Sequence, residues 1–176
     1  MTRFVDSLAA AGFDGVMNCP TVTLIDGKFR SDLEETGMGF YLEVEVLGYA
    51  SRKGLFTKAF CTTPDEALAM AEAGVDNIIV HYGNSSGGST GSTTVLSADE
   101  SAQRAAAVLD AMVPRYPDLI YTCHGGSIEN ASHFEALLNR EPRFDGYVGG
   151  SSAERLPIED SVTASAKAFK SVKLEK

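Results

Sequence analysis

Short apolar runs alternate along this chain with segments that carry helix start and stop signals, and this alternation is the strongest constraint on its fold. The clearest unit begins at Thr63-Pro64-Asp65-Glu66, which supplies an N-cap threonine, a proline at N1 and a glutamate at N3. Ala67, Met70 and Ala71 follow at helical spacing, and Gly74 marks the stop. The run Asn77-Ile78-Ile79-Val80 has no polar alternation, as expected of a strand covered on both faces. Ser97-Ala98-Asp99-Glu100 repeats the capping signature and opens a long helix toward Val113-Pro114. Strand and helix in regular succession predict repeated βα units and a parallel sheet.

The remaining segments extend the pattern. Phe4, Leu8 and Ala11 share helical spacing before Gly12, and residues 13–17 read as a short buried strand. Asp26-Gly27, flanked by Leu24-Ile25 and Lys28-Phe29, is a hairpin signal, with a helical turn expected over residues 31–36. Residues 42–46 alternate like a strand, yet Phe40, Val44 and Leu47 also fit one helix face. The cationic stretch before Gly54 and the new apolar run over residues 55–61 favour the helix. Further strands are expected at residues 119–122 and 147–148, with a helix around residues 134–138 between them. A last helix starts near Pro157, with Val162, Ala166 and Phe169 on one side. Five strands are visible, whereas a closed (β/α)8 barrel has eight.

With 176 residues, the chain is expected to form a single domain. A net charge of −9 argues against a nucleic-acid partner, because neutralising phosphates requires clustered Lys and Arg. Cys19, Cys61 and Cys123 form no C-x-x-C pair, so a reduced, cytoplasmic protein with small buried thiols is expected. No local spacing supports a Cys/His metal site. No apolar run approaches the ~20 residues needed to span a bilayer, and no membrane partner is expected.

Chemistry in such folds gathers where strands end. Asn18, Cys61, His81 and His124 all fall at such ends. His81 and His124 are the candidate acid–base residues, since imidazole titrates near neutrality; the plainer alternative is a ring held by a neighbouring carbonyl. His133, inside a helix, is expected at the surface. Two strands run into paired glycines, Gly125-Gly126 and Gly149-Gly150, and paired glycines let backbone N–H groups approach an anion. Ser151-Ser152-Ala153-Glu154 has capping-box spacing, so a helix start would add N–H donors beside Gly149 and Gly150. Arg155 could pair a phosphate, or it could be a solvated helix residue. The loop from Gly83 through Gly87 and Gly88 to Gly91 reads as a lid or anion cradle, with a flexible connector as the alternative. No Gly-Lys-Ser/Thr ends it, so it is not a Walker loop.

A family resemblance rests on motifs running the length of the chain: Gly12-Phe13-Asp14-Gly15-Val16, Asn18-x-Pro20-Thr21, Leu24-Ile25-Asp26-Gly27 and Leu33-Glu34-Glu35-Thr36-Gly37-Met38-Gly39. Leu42-Glu43-Val44-Glu45, Ala69-Met70-Ala71-Glu72-Ala73-Gly74, Val80-His81-x-Gly83, Cys123-His124-Gly125-Gly126 and Gly150-Ser151-Ser152-x-Glu154-Arg155-Leu156-Pro157 complete it. The chain resembles the phosphoenolpyruvate hydrolase-like (phosphonopyruvate hydrolase-like) TIM-barrel family. The resemblance implies an α/β fold that is a partial (β/α)8 barrel: about five parallel βα units from the C-terminal portion, forming one incomplete domain over residues 1–176. It also implies a helix over residues 42–53.

The implied function is a hydrolase or lyase, whole or fragmentary, acting on a phosphorylated or phosphono three-carbon acid. The alternative is a non-catalytic phosphate-ligand-binding or regulatory module within an oligomer. An open parallel sheet exposes two edges, so a homo-oligomer or a complementing chain is the expected partner, alongside the small phosphorylated substrate. The cofactor is left open, a divalent metal such as Mg²⁺ being compatible, and no metal ligands are assigned.

Overall fold

The computed structural model describes residues 1–173. The helices and strands alternate as α1 (Thr2–Ala10), β1 (Gly15–Met17), α2 (Gly27–Glu35), α3 (Phe40–Arg52), β2 (Phe56–Cys61), α4 (Pro64–Glu72) and β3 (Asn77–His81). Then come α5 (Ala98–Met112), β4 (Ile120–His124), α6 (Ala131–Leu138), β5 (Gly146–Tyr147) and α7 (Leu156–Ser171). The five strands form one parallel sheet in sequential order, β1-β2-β3-β4-β5. Each strand thus pairs with the next in sequence after a helical crossover, as a barrel wall requires.

Residue alternation divides the sheet into two faces. Ala59, Cys61, Ile78, Val80, Tyr121 and Cys123 point to the helical side, where they pack with Leu47, Met70, Ala105, Val108, Leu109 and Met112 in the main core. Phe60, Ile79, His81, Thr122 and His124 occupy the alternate positions and face the other way, toward what is the interior of a barrel. Register places His81 directly opposite His124 in the β3–β4 ladder. Cys61 and Cys123 are fully buried, and burial pushes the Cys123 thiol up to about 12 and raises Cys61 as well, so both behave as small hydrophobes. Cys19 departs from that expectation: it is exposed.

The capping signals at residues 63–66 and 97–100 operate as the sequence suggests. Thr63 Oγ1 accepts the Glu66 N–H, and Ser97 with Glu100 makes a reciprocal capping box. Two local expectations are corrected. The Asp26-Gly27 hairpin does not form; Asp26 is the N-cap of α2, and the segment before it is a 3₁₀ turn, Val22–Leu24. The i,i+4 pairs Lys28–Asp32 and Arg30–Glu34 stabilise this helix, and β1 finds its partner in β2 instead. Ser151 does not cap a helix. Residues 151–155 form tight turns, and α7 starts at Leu156 with Pro157 in its first turn and Arg155 at the cap position. In α1, Val5 is buried and Phe4 is largely exposed.

At the C-terminus, α7 carries no buried residue, and its apolar side chains Val162 and Phe169 are exposed. Among the described residues no helix is long and apolar enough to cross a membrane.

Candidate active site at the strand tips

The C-terminal ends of β1–β5 surround an open cleft of about 810 Å³. Phe60, His81 and His124 make its floor, Val148 to Ser151 one wall, and Asn84, Ser85 and residues 90–92 of the loop after β3 its cover. The three floor rings pack as a triad: Phe60 lies 4.7 Å from His81 and 5.1 Å from His124 between ring centroids. His81 and His124 meet edge-on at 4.9 Å.

The hydrogen bonds of the two imidazoles assign them opposite tautomers. His81 Nδ1 accepts the Gly83 N–H at 3.0 Å, so the neutral ring carries its proton on Nε2. His124 Nδ1 lies 2.6 Å from the Val148 carbonyl oxygen, which can only accept, so the proton is on Nδ1 and Nε2 holds a lone pair. His81 is only 5% exposed, and burial, then the neighbouring His124 and Arg104, lowers its pKa to about 4. With both rings neutral, the floor offers one N–H donor and one ring nitrogen able to take a proton. Arg104, from α5, donates to the His81 carbonyl at 2.9 Å and fixes the end of β3.

Both predicted glycine pairs lie at the same end of the sheet, on adjacent strands, but their backbone groups are used differently. Gly126 donates its N–H to the Gly83 carbonyl at 3.1 Å and accepts both the backbone N–H and Oγ of Ser86. Gly125 sits so close to Gly83 that a Cβ there would collide with the Gly83 carbonyl oxygen, and its φ of +80° suits glycine. This pair knits the loops after β3 and β4 together, and it does not line the cleft. Around the second pair, the Val148 N–H continues the β4–β5 ladder to the Cys123 carbonyl, after which the pattern changes. The carbonyls of Gly150 and Ser151 accept bonds from residues 153–156, whereas the N–H groups of Gly149, Gly150, Ser151 and Ser152 donate to none of the described residues. Gly149, Gly150 and Ser151 line the cleft. Unpaired backbone amides of this kind are the groups in the site that could receive an anion.

Asn18 has a different role from the one its position suggests. Its Oδ1 accepts the Phe60 N–H at 2.7 Å, and its Nδ2 donates to the Phe60 carbonyl and to Glu43 Oε2 at 3.1 and 2.7 Å. The side chain thus ties the end of β1 to β2 and positions Phe60. Arg155 reaches the cleft wall, where its Nη1 donates to the Gly87 carbonyl at 3.0 Å and pairs with Glu159 at 3.2 Å. Gly83, Gly87 and Gly88 all have positive φ and shape the loop over the cleft. His133 is at the surface of α6, its Nδ1 2.9 Å from the Ser127 carbonyl.

The sequence reading missed Phe60, Arg104, Glu43 and Glu159. Phe60 could have been found from strand alternation, since it shares a face with His81. The others act through the chain's tertiary contacts and leave no local signal. Among the described residues no group of three or more His, Cys, Asp or Glu side chains converges to hold a metal ion.

Comparison with known proteins agrees with this architecture. The sequence pattern described as Phosphoenolpyruvate hydrolase-like matches residues 1–172. The ToMV resistance protein Tm-1(GCR237) of Solanum lycopersicum is 46% identical over 175 residues, covering 99% of this chain and 23% of that protein. The ToMV susceptible protein tm-1(GCR26) of the same plant shows the same identity and coverage. The chain therefore spans less than a quarter of the length of these relatives. Among solved structures, 2,3-dimethylmalate lyase, described as a PEP mutase/isocitrate lyase superfamily member, aligns with a TM-score of 0.56 at 13% identity, over 84% of this chain and 55% of that one. A Ruminococcus gnavus sialic acid aldolase aligns with a TM-score of 0.55 at 16% identity, over 95% of this chain and 50% of that one. At these identities the likeness shows the fold alone, and the five-stranded sheet is a partial (β/α)8 barrel. On the match across residues 1–172, the chain belongs to the phosphoenolpyruvate hydrolase-like family.

Proposed function

We propose that the cleft binds a small phosphorylated or phosphono carboxylic acid and that the chain supplies the phosphate site and proton-transfer groups for cleaving it. The observation carrying this reading is the row of unpaired amides at residues 149–152, of which Gly149, Gly150 and Ser151 line the same cleft as Arg155 and the two imidazoles. Backbone N–H groups at fixed positions stabilise an oxyanion without reorganising, which makes them suited to charge that grows in a transition state. In hydrolysis of phosphoenolpyruvate, water attacks phosphorus, the bridging P–O bond breaks, and enolpyruvate leaves and takes a proton at carbon to become pyruvate. His124 Nε2 has the lone pair to accept the proton from the attacking water. His81 Nε2–H, held neutral, donates a hydrogen bond to the developing enolate or carboxylate oxygen. The loop over residues 83–92 excludes bulk water from that reaction.

A second reading is a binding module without turnover, acting inside a larger assembly. It is favoured by the open edges of the sheet at β1 and β5, whose outer backbone groups are available for pairing with a second copy or a complementing chain. Release of phosphate and pyruvate from phosphoenolpyruvate or phosphonopyruvate by the purified chain, with and without added Mg²⁺, separates the two. Turnover supports the enzyme, and saturable binding without turnover supports the module. Failure to bind either compound overturns both.

A further inference from the structure

The loop that covers the cleft is held at its base and at its tip, and the tip contacts converge on Arg155 and Glu159. At its base, Ser86 bonds to the Gly126 carbonyl and Ser86 Oγ to Glu129 at 2.6 Å, while the Ser92 N–H closes the neck onto the Ser85 carbonyl. At its tip, Glu159 Oε2 accepts the Ser89 N–H at 2.8 Å. The other oxygen of that carboxylate pairs with Arg155 Nη1, which in turn donates to the Gly87 carbonyl. Gly88, at φ +68°, passes so close that a Cβ there would collide with both Glu159 and Arg155. The Ser89 N–H foremost, and then Arg155, hold the Glu159 carboxyl below the usual carboxylate range, so it is ionised at neutral pH. Arg155 uses only Nη1 in these contacts; its Nε and Nη2 donate to no described residue.

We propose that Glu159 is a positioning residue that couples occupancy of the anion site to closure of the loop, an inference that rests on the function proposed above. One carboxylate grips the lid through Ser89 and orients Arg155 through Nη1, leaving the other edge of the guanidinium for an incoming phosphate. Phosphate bound at residues 149–152 and at that free edge immobilises Arg155. Arg155 then immobilises Gly87 directly and Ser89 through Glu159, so the loop tightens only over an occupied cleft.

Hydrogen exchange of residues 84–92 in the full chain, with and without phosphoenolpyruvate, tests this. Exchange is compared in wild type, Glu159→Gln and Glu159→Ala, with ligand affinity measured separately by calorimetry. In wild type the ligand is expected to slow loop exchange about fivefold or more. Glu159→Ala still binds ligand, but its loop exchanges faster at rest, and the ligand-induced slowing is lost at Ser89 and reduced elsewhere, because only the direct Arg155–Gly87 bond remains. Glu159→Gln keeps an acceptor for the Ser89 N–H, so its resting exchange stays near wild type while the ligand-induced slowing shrinks. Glu159 lies on a helix with no buried residues, and near-UV circular dichroism confirms that the variants fold. Ligand-induced slowing in Glu159→Ala equal to wild type overturns the coupling, as does wild-type binding without any slowing; both leave the phosphate site intact. Absence of wild-type binding overturns the phosphate site and the coupling with it.

Discussion

Lowering the pH from 7.5 to 5 should cost this protein stability through a single buried ring. His81 has a pKa near 4 in the folded chain and 6.5 as an ordinary histidine, because burial first, then the neighbouring His124 and Arg104, disfavour the imidazolium. Above pH 6.5 both states keep it neutral and it contributes no pH dependence. Between 6.5 and about 4 the unfolded chain takes up a proton that the folded chain refuses, so stability falls as pH falls; below about 4 both states are protonated and the loss levels off. The full gap corresponds to about 3 kcal/mol, of which about 2 kcal/mol has been lost by pH 5. His81→Asn is the matched control, because its Oδ1 can accept the Gly83 N–H in place of Nδ1 and it does not titrate. Urea unfolding of both proteins at pH 7.5, 6.5, 5.5 and 5 reads the difference, with the titrating carboxylates common to both. Wild type should lose about 2 kcal/mol more than the variant over that range. Parallel curves would refute the claim that His81 is held neutral beside His124.

Other consequences are equally specific. His124→Asn should preserve folding, because an amide nitrogen can still donate to the Val148 carbonyl, yet lower kcat on a phosphorylated acid by about 10²–10⁴-fold; unchanged turnover would remove His124 from the chemistry. Asn18→Leu should destabilise the chain by roughly 2–4 kcal/mol by stranding the Phe60 N–H and removing one of the donors to the Glu43 carboxylate, as read by urea melts. Gly125→Ala should cost a similar amount, roughly 2–4 kcal/mol, from the collision with the Gly83 carbonyl and the positive φ, with little direct effect on ligand contacts.

How much of this was legible beforehand follows from how local each signal is. Capping chemistry, glycine stops and unbroken apolar runs act within a few residues, so the βα units from Phe56 to Met112 read correctly from spacing and residue type. The strand ends placed His81 and His124 on one rim, and the ladder register then set them side by side. Asp26-Gly27 misled because a hairpin needs a partner strand, whereas α2 is stabilised by charge pairs four residues apart. The two glycine pairs looked equivalent in sequence. They separate only because Gly83 and Ser86, some 40 residues earlier, occupy the backbone groups of Gly126. Asn18 likewise looked like a ligand-binding amide, and only the fold brings the Phe60 backbone within reach of both its polar atoms. Glu159 was invisible for the same reason, its partner Ser89 lying 70 residues away.

The amides of residues 149–152 are the proposed anion site. Backbone ¹H–¹⁵N shifts recorded while phosphoenolpyruvate is titrated into the protein report on it residue by residue. Saturable shifts at Gly149, Gly150, Ser151 and Ser152, larger than those at Gly126, are the predicted result. Shifts absent from those four residues, or centred on Gly125 and Gly126, would contradict it.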